Sequence, residues 1–341
     1  MNSKVFIGFC VFLSLIPTLV SAKILYYSSQ DNPFNPALGK DIDFDIFMMN
    51  DDGRNVRKLT DTPFSEQSPR WSPDGKQIAY VKDLDITLSH IMQTDLFIMD
   101  IDGTNEIRLT DHPAADGPHI AWSPDGRKIA FVSLRTGHID IHVVDVASRV
   151  VTQLTNNAVI GGLSSSPDWS PNGRHIAYSQ VLRGRGRTIF TMDAGGGNQK
   201  PLIESDVRFA RSSPRWSPDG DAILYKESEF KLLKNRREKL AERIIIHQFH
   251  SGKRRIIKLP TKYIVGGLAW MHQGQEIVFD AHNTVARAID LFRYHISRRK
   301  MTNLTVGPGG GSRPDWIHNT ALTVMPAGKL ALQWGQLKRG D

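Results

Sequence analysis

The sequence predicts an all-β fold, a six-bladed β-propeller with four antiparallel strands per blade, on three observations. A five-residue motif, Trp-Ser-Pro-Asp-Gly, recurs along the chain at near-constant spacing. Each copy is followed by short apolar segments of strand length separated by turn residues. The phase of the chain, which enters on a strand of one type and leaves on another, predicts a ring closed by the N-terminal strands.

The intact motifs are Trp71–Gly75, Trp122–Gly126, Trp169–Gly173 (with Asn172 for Asp) and Trp216–Gly220. Two degenerate copies follow at Trp270 and Trp316, so the tryptophans are 51, 47, 47, 54 and 46 residues apart. Pro presets φ at the first central position of a tight turn, Asp or Asn suits the next, and Gly accepts positive φ. A strand ending in Trp therefore reverses into a second strand, such as Gln77–Val81, Lys128–Val132 or Ala222–Tyr225. These second strands are apolar on both sides, as expected where a sheet is covered on both faces. Third strands read Asp45–Met49, Asp95–Met99, Asp140–Val144, Thr188–Met192, Arg243–Ile246 and Asp290–Tyr294. Turns such as Asp102-Gly103 lead to fourth strands that end Leu59-Thr60, Leu109-Thr110, Leu154-Thr155 and Leu304-Thr305. The entering strand, Lys23–Ser28, is of the second type, and the last Trp strand ends at Trp316, so the two ends complete one blade. A further strand over Ala321–Val324 competes for the same place.

Residues 1–22 read as a signal peptide: Lys4, an apolar run from Val5 to Val20, and small residues at Ser21 and Ala22. The propeller is expected over 23–319, and 320–341 is a C-terminal tail or closing strand. The single cysteine, Cys10, lies inside the export segment. The processed chain then has no thiol or disulfide chemistry. Export to the periplasm or cell exterior, with no recognition-helix pattern, excludes nucleic acid as a partner of the net +8 charge. A monomer is expected.

The W-S-P-D-G units, with their D-I-F-x-M and R-x-L-T strands, resemble the propeller repeat of TolB over roughly Lys23 to Trp316. The resemblance implies a periplasmic protein-binding propeller of the Tol–Pal envelope system, with a Pal-like lipoprotein or another envelope protein as partner. TolB proteins carry a further domain before the propeller, and here the export segment runs straight into the first blade strands. Related repeats occur in some pectin-degrading lyases. The alternative function is therefore a secreted propeller that binds an anionic polysaccharide or cleaves it in a metal-dependent, lyase-like reaction.

Candidate site residues fall on the loops between second and third strands, where Lys82–Thr94, Gln180–Arg187 and Lys226–Glu242 are insertions. Arg183, Arg185 and Arg187, with Lys234, Arg236 and Arg237 from the next blade, form one expected basic rim for an acidic partner or anionic glycan. Phe230, Leu233, Leu240 and Ile244 are spaced as one face of a short amphipathic helix. His90, His112, His119, His138 and His282 fall in channel-face loops, but their spacing matches no metal-ligand motif. They read as loop histidines. No catalytic residue and no cofactor is expected: no G-x-S-x-G elbow or phosphate loop occurs. Asp100–Asn105 resembles the start of a calcium loop but lacks the distal glutamate and reads as a hairpin turn.

Overall fold

The computed structural model describes residues 22–29, 44–84, 93–234, 236–305 and 310–317. The expected export segment before Ala22, most of the Lys82–Thr94 loop, His90 and the tail 320–341 (with Ala321–Val324) lie outside the described residues.

In chain order the strands are β1 (Lys23–Ser28), β2 (Asp45–Asn50), β3 (Arg57–Lys58), β4 (Ser65–Trp71), β5 (Gln77–Asp83), β6 (Thr94–Asp100) and β7 (Ile107–Arg108). Next come β8 (Asp116–Trp122), β9 (Lys128–Ser133), β10 (Asp140–Asp145) and β11 (Val151–Gln153). A one-turn helix, α1 (Asn157–Ile160), precedes β12 (Leu163–Trp169), β13 (His175–Leu182), β14 (Gly186–Asp193) and β15 (Lys200–Pro201). The rest are β16 (Phe209–Trp216), β17 (Ala222–Leu232), β18 (Arg237–Gln248), β19 (Arg254–Lys258), β20 (Tyr263–Met271), β21 (Glu276–Asn283), β22 (Ala288–His295), β23 (Lys300–Asn303) and β24 (Ser312–Ile317).

These strands form an all-β propeller. The strands β4 to β7, β8 to β11 and β20 to β23 each make a four-stranded antiparallel sheet in sequence order. A fourth such sheet has the order β24-β1-β2-β3, so the strands nearest the two ends of the described chain lie side by side. The strands β12 to β19 form one larger sheet, in which β14 meets β16 through a single parallel pair, Arg187 with Ala210. No described helix is long and apolar enough to cross a membrane.

The repeated turns follow from their side chains. In the first, Asp74 Oδ1 accepts the Ser72 hydroxyl at 2.7 Å and the Lys76 N–H at 3.1 Å, while Ser72 Oγ accepts the Gln77 N–H at 2.9 Å. The same bonds recur around Ser123 and Asp125, Ser170 and Asn172, and Ser217 and Asp219. The Asp of the third strand and the Thr of the fourth form a second repeated clamp. Thr110 Oγ1 accepts the Leu96 N–H at 2.9 Å and donates to Asp95 Oδ1 at 3.1 Å. Thr60 with Asp45, Thr155 with Asp140 and Thr305 with Asp290 repeat it. Both motifs thus hydrogen-bond polar groups that burial would otherwise strand.

The core lies between sheets. Ala79, Val81 and Leu96 pack with Ile120, Ile129 and Phe131 of the next sheet, and Ile24 and Phe47 pack with Ala269 and Val278. Leu25 and Ile46, from the sheet holding β24, pack on the other side against Trp71, Ile78 and Tyr80. Aromatic pairs such as Tyr80 with Phe97 (5.9 Å) and Phe279 with Phe292 (5.6 Å) join second strands to third.

The segment Lys226–Glu242 corrects the helical expectation. It is a β-hairpin in which β17 extends to Leu232 and β18 starts at Arg237. Cross-strand pairing sets Glu227 opposite Arg243 and Lys231 opposite Glu238. Opposite charges facing each other favour the ladder, whereas the four apolar residues do not share a face: Ile244 is buried and Leu240 exposed.

Candidate functional site

On the inner strands β4, β8, β12, β16, β20 and β24 the residue before each tryptophan repeats in type, the two alanines packing in the cores between sheets. These residues are Arg70, Ala121, Asp168, Arg215, Ala269 and Asp315, one three-residue order used twice. Arg215 Nη1 lies 3.2 Å from Asp168 Oδ1, and Asp168 Oδ2 accepts the Trp216 N–H at 2.8 Å. In the second half Arg70 Nη1 stands 4.0 Å from Asp315 Oδ1, and Asp315 Oδ2 accepts the Trp71 N–H at 2.9 Å. Arg70 Nε donates to the Ile120 carbonyl and Arg215 Nε to that of Leu268. Burial pulls the Arg70 guanidinium down to about 10, with Arg215 adding to the effect and Asp315 opposing it. Each inner strand carries a register shift near its middle, and in β4, β12, β16 and β24 a residue there, Ser68, Ser166, Ser213 or Arg313, takes positive φ.

Above this ring a cavity of about 420 Å³ opens at the end away from the Trp-Ser-Pro-Asp-Gly turns. Its walls include Gln67, Pro118, His119, Ser165, Ser212, Arg187 and Lys226. The Arg313 guanidinium reaches across to the Ser68 hydroxyl (3.3 Å) and the Pro118 carbonyl. Burial first, then the charges of Arg313, Arg215, Lys226 and Arg70, hold the half-buried His119 imidazole well below its ordinary range. It is a neutral group at pH 7.

The two basic hairpins meet beside this cavity. Arg183 and Arg185 are exposed in the turn between β13 and β14. Lys234 and Arg236 are exposed in the turn between β17 and β18, and Arg237 is exposed at the first position of β18. Arg237 donates to the Val207 carbonyl at 2.6 Å and stacks on Phe230, 4.3 Å from the ring centre. Gly186, with φ of 87°, faces the same segment: a Cβ there would meet the Asp206 and Phe209 carbonyls at 3.4 Å. Both hairpins therefore flank residues 206–209. Arg187 differs from its neighbours, because it points into the cavity and is half-buried. Burial lowers its pKa.

The remaining histidines do not converge. His112 Nδ1 accepts the Ala114 N–H at 3.1 Å, His138 is exposed, and His282 lies on β21 far along the chain from both. Among the described residues no three His, Cys, Asp or Glu side chains gather in a group able to hold a metal ion. Asp100–Asn105 forms the turn between β6 and β7, with the Gly103 N–H on the Asp100 carbonyl. Sequence reasoning missed Lys226, Arg313 and the Asp–Arg ring. The repeated Arg-Ala-Asp order before the tryptophans was the available signal for the ring.

Four-stranded sheets packed face to face around inner strands define a β-propeller. Its repeat is TolB-like: the TolB beta propeller domain family matches residues 82–231. A Tol-Pal system protein TolB from Alcanivorax borkumensis is 41% identical over 59 residues, 17% of this chain and 13% of that protein. The matched stretch thus spans a small part of that relative. Among solved structures, TolB from Acinetobacter baumannii superimposes with a TM-score of 0.67 at 21% identity, over 87% of this chain and 67% of that one. An oligogalacturonate lyase in complex with manganese gives 0.54 at 15% identity, over 76% and 70%. At these identities the two structures share the fold with this chain.

Proposed function

We propose that this chain is a periplasmic or secreted, six-bladed TolB-like propeller that binds an acidic protein partner on the rim formed by its two basic hairpins. The blade count takes the larger sheet as two blades joined by the single Arg187–Ala210 pair, and β1 beside β24 as the closing contact. The observation that supports the binding reading is the approach of both hairpins to residues 206–209, on which the reading takes Arg183, Arg185, Lys234, Arg236 and Arg237 as one rim. Such a rim steers an acidic surface and fixes its register. A Pal-like envelope lipoprotein is the candidate by analogy with the TolB proteins this chain is similar to.

The test is affinity capture from matching envelope extract, using the processed chain beside a variant with Arg183, Arg185, Arg236 and Arg237 changed to serine. One acidic protein should be held by the first, lost by the second, and released by added salt. Capture that is absent, or equal in both, overturns the reading. A second reading, binding of an anionic polysaccharide, draws on Arg187 and Lys226 in the cavity wall and on the fold shared with an oligogalacturonate lyase. Its metal-dependent form finds no matching donor group among the described residues. Retention of the chain on immobilised polygalacturonate, with no protein captured, would favour this second reading.

A further inference from the structure

The charges around the channel-mouth cavity are unevenly matched. Arg70 and Arg215 are answered by Asp315 and Asp168. Asp280 accepts the backbone N–H groups of Gly267 (2.6 Å) and Arg313 (2.8 Å). Asp116, on the far wall, is held by two bonds from Arg135 at 2.9 and 3.0 Å. Asp83 on that wall also has an interaction of its own. Two cations remain. Arg187 has no hydrogen bond or ion pair from its guanidinium among the described residues, and Lys226 Nζ has one, to the Val265 carbonyl at 3.0 Å. Burial lowers the pKa of both, and for Lys226 it outweighs the support of Glu242 and Asp280. Holding Arg187 half out of water with no ion pair, and Lys226 with only the longer-range support of Glu242 and Asp280, is costly, and a cavity beside them gives an anion room to enter.

We propose that this cavity is a socket for a carboxylate, received between Arg187 and Lys226 and carried on an acidic side chain of the protein partner. The inference rests on the protein-binding reading for its source, and on the cavity alone for its chemistry. A guanidinium takes a planar carboxylate through two parallel bonds, and the serine hydroxyls of the wall (Ser165, Ser212) supply neutral donors. Asp83 and Asp116 on the opposite wall oppose a doubly charged phosphate more than a singly charged carboxylate. At about 420 Å³ the space is at the lower end of small-ligand pockets, enough for one side chain and its neighbours. Arg187 follows Arg185 by two positions on the same hairpin, so a partner seated on the rim stands over the socket.

The probe is succinate, titrated into the processed full chain at pH 7 while the backbone amides of Gly117 and Ser213 are followed by NMR. Succinamide and sodium chloride at matched ionic strength serve as controls. Saturable shifts are expected with an apparent Kd of about 1 mM or tighter, with no response to either control. Arg187→Gln and Lys226→Gln should each weaken binding about tenfold or more, whereas Arg183→Ser with Arg185→Ser should leave it unchanged. The comparison of succinate with succinamide needs no variant, so a folding defect in either substitution does not blunt the test. No saturable shift, an equal response to succinamide, or full binding in both cavity variants overturns the socket. A blocked tripeptide with a central glutamate, beside its glutamine counterpart, separates the sources. If the glutamate peptide fails where succinate binds, the site takes a free acid and the partner assignment falls. Loss of envelope capture with succinate binding intact would sink the protein-binding reading and spare the socket.

Discussion

Asp168 and Arg215 stand one blade apart at the position before a tryptophan, with Oδ1 and Nη1 at 3.2 Å, and Asp315 and Arg70 repeat the relationship at 4.0 Å. The aspartate does two jobs in each case, because its second oxygen accepts the N–H of the neighbouring tryptophan. An interblade ion pair is thereby fastened to the backbone of the strand it crosses to.

Asp168→Ala removes both bonds and leaves Arg215 with the Leu268 carbonyl alone. Breaking a largely buried pair from one side is expected to cost about 3 kcal/mol or more. Asp315→Ala should cost less, since its pair is longer and Arg70 keeps four carbonyl contacts. Urea unfolding of the two variants checks the order.

Thr110→Val keeps the shape of a side chain that is 4% exposed but leaves the Leu96 N–H without its acceptor. A loss of about 1–3 kcal/mol is expected. Unchanged unfolding midpoints would show that the Asp–Thr clamp is dispensable.

Glu66 is fully buried beside Lys82 (3.5 Å), and one of its oxygens has no hydrogen bond. Burial pushes its carboxyl up to about 7, against the opposing effects of the Thr62 hydroxyl and Lys82. An acid raised on folding favours the folded state fully below its unfolded value near 4.5, and that benefit disappears as pH climbs through about 7. Relative to Glu66→Gln, the native chain should therefore lose about 3 kcal/mol between pH 4 and pH 8. Parallel stability curves for the two proteins would contradict this.

Gly137 and Gly196 both have positive φ, 80° and 89°, but only Gly196 is crowded: a Cβ there would meet the Leu154 carbonyl at 2.8 Å. Gly137→Ala should cost about 1–2 kcal/mol from backbone strain alone. Gly196→Ala should cost at least about 1 kcal/mol more, from overpacking against that carbonyl. Thermal melts of the pair provide the comparison.

The blade repeat was legible because its motifs are local: Ser72 with Asp74, and Thr110 with Asp95, bond within one hairpin or one sheet. The contact of Arg237 with Val207 was not legible, because it depends on how far the β17–β18 hairpin extends over the segment that enters β16. The burial of Arg187 was hidden, because it depends on the side chain's direction from the first turn of β14 and on the wall opposite. The helical reading of Lys226–Glu242 failed for a related cause. Four apolar residues at helical spacing weigh little against a hairpin already begun by Ile223–Tyr225 and Ile244–Ile246, which only needed lengthening.

The pairing of β1 with β24 sets Ile24 beside Trp316, and Gly53 faces the Leu304 carbonyl as Gly103 faces that of Leu59. Early-made and late-made segments thus share one hydrogen-bonded seam. During synthesis β1 has to wait with one edge bare until β24 arrives, a long-range contact of the kind that slows folding. Until β24 pairs with it, that edge of β1 is open to pairing with other strands.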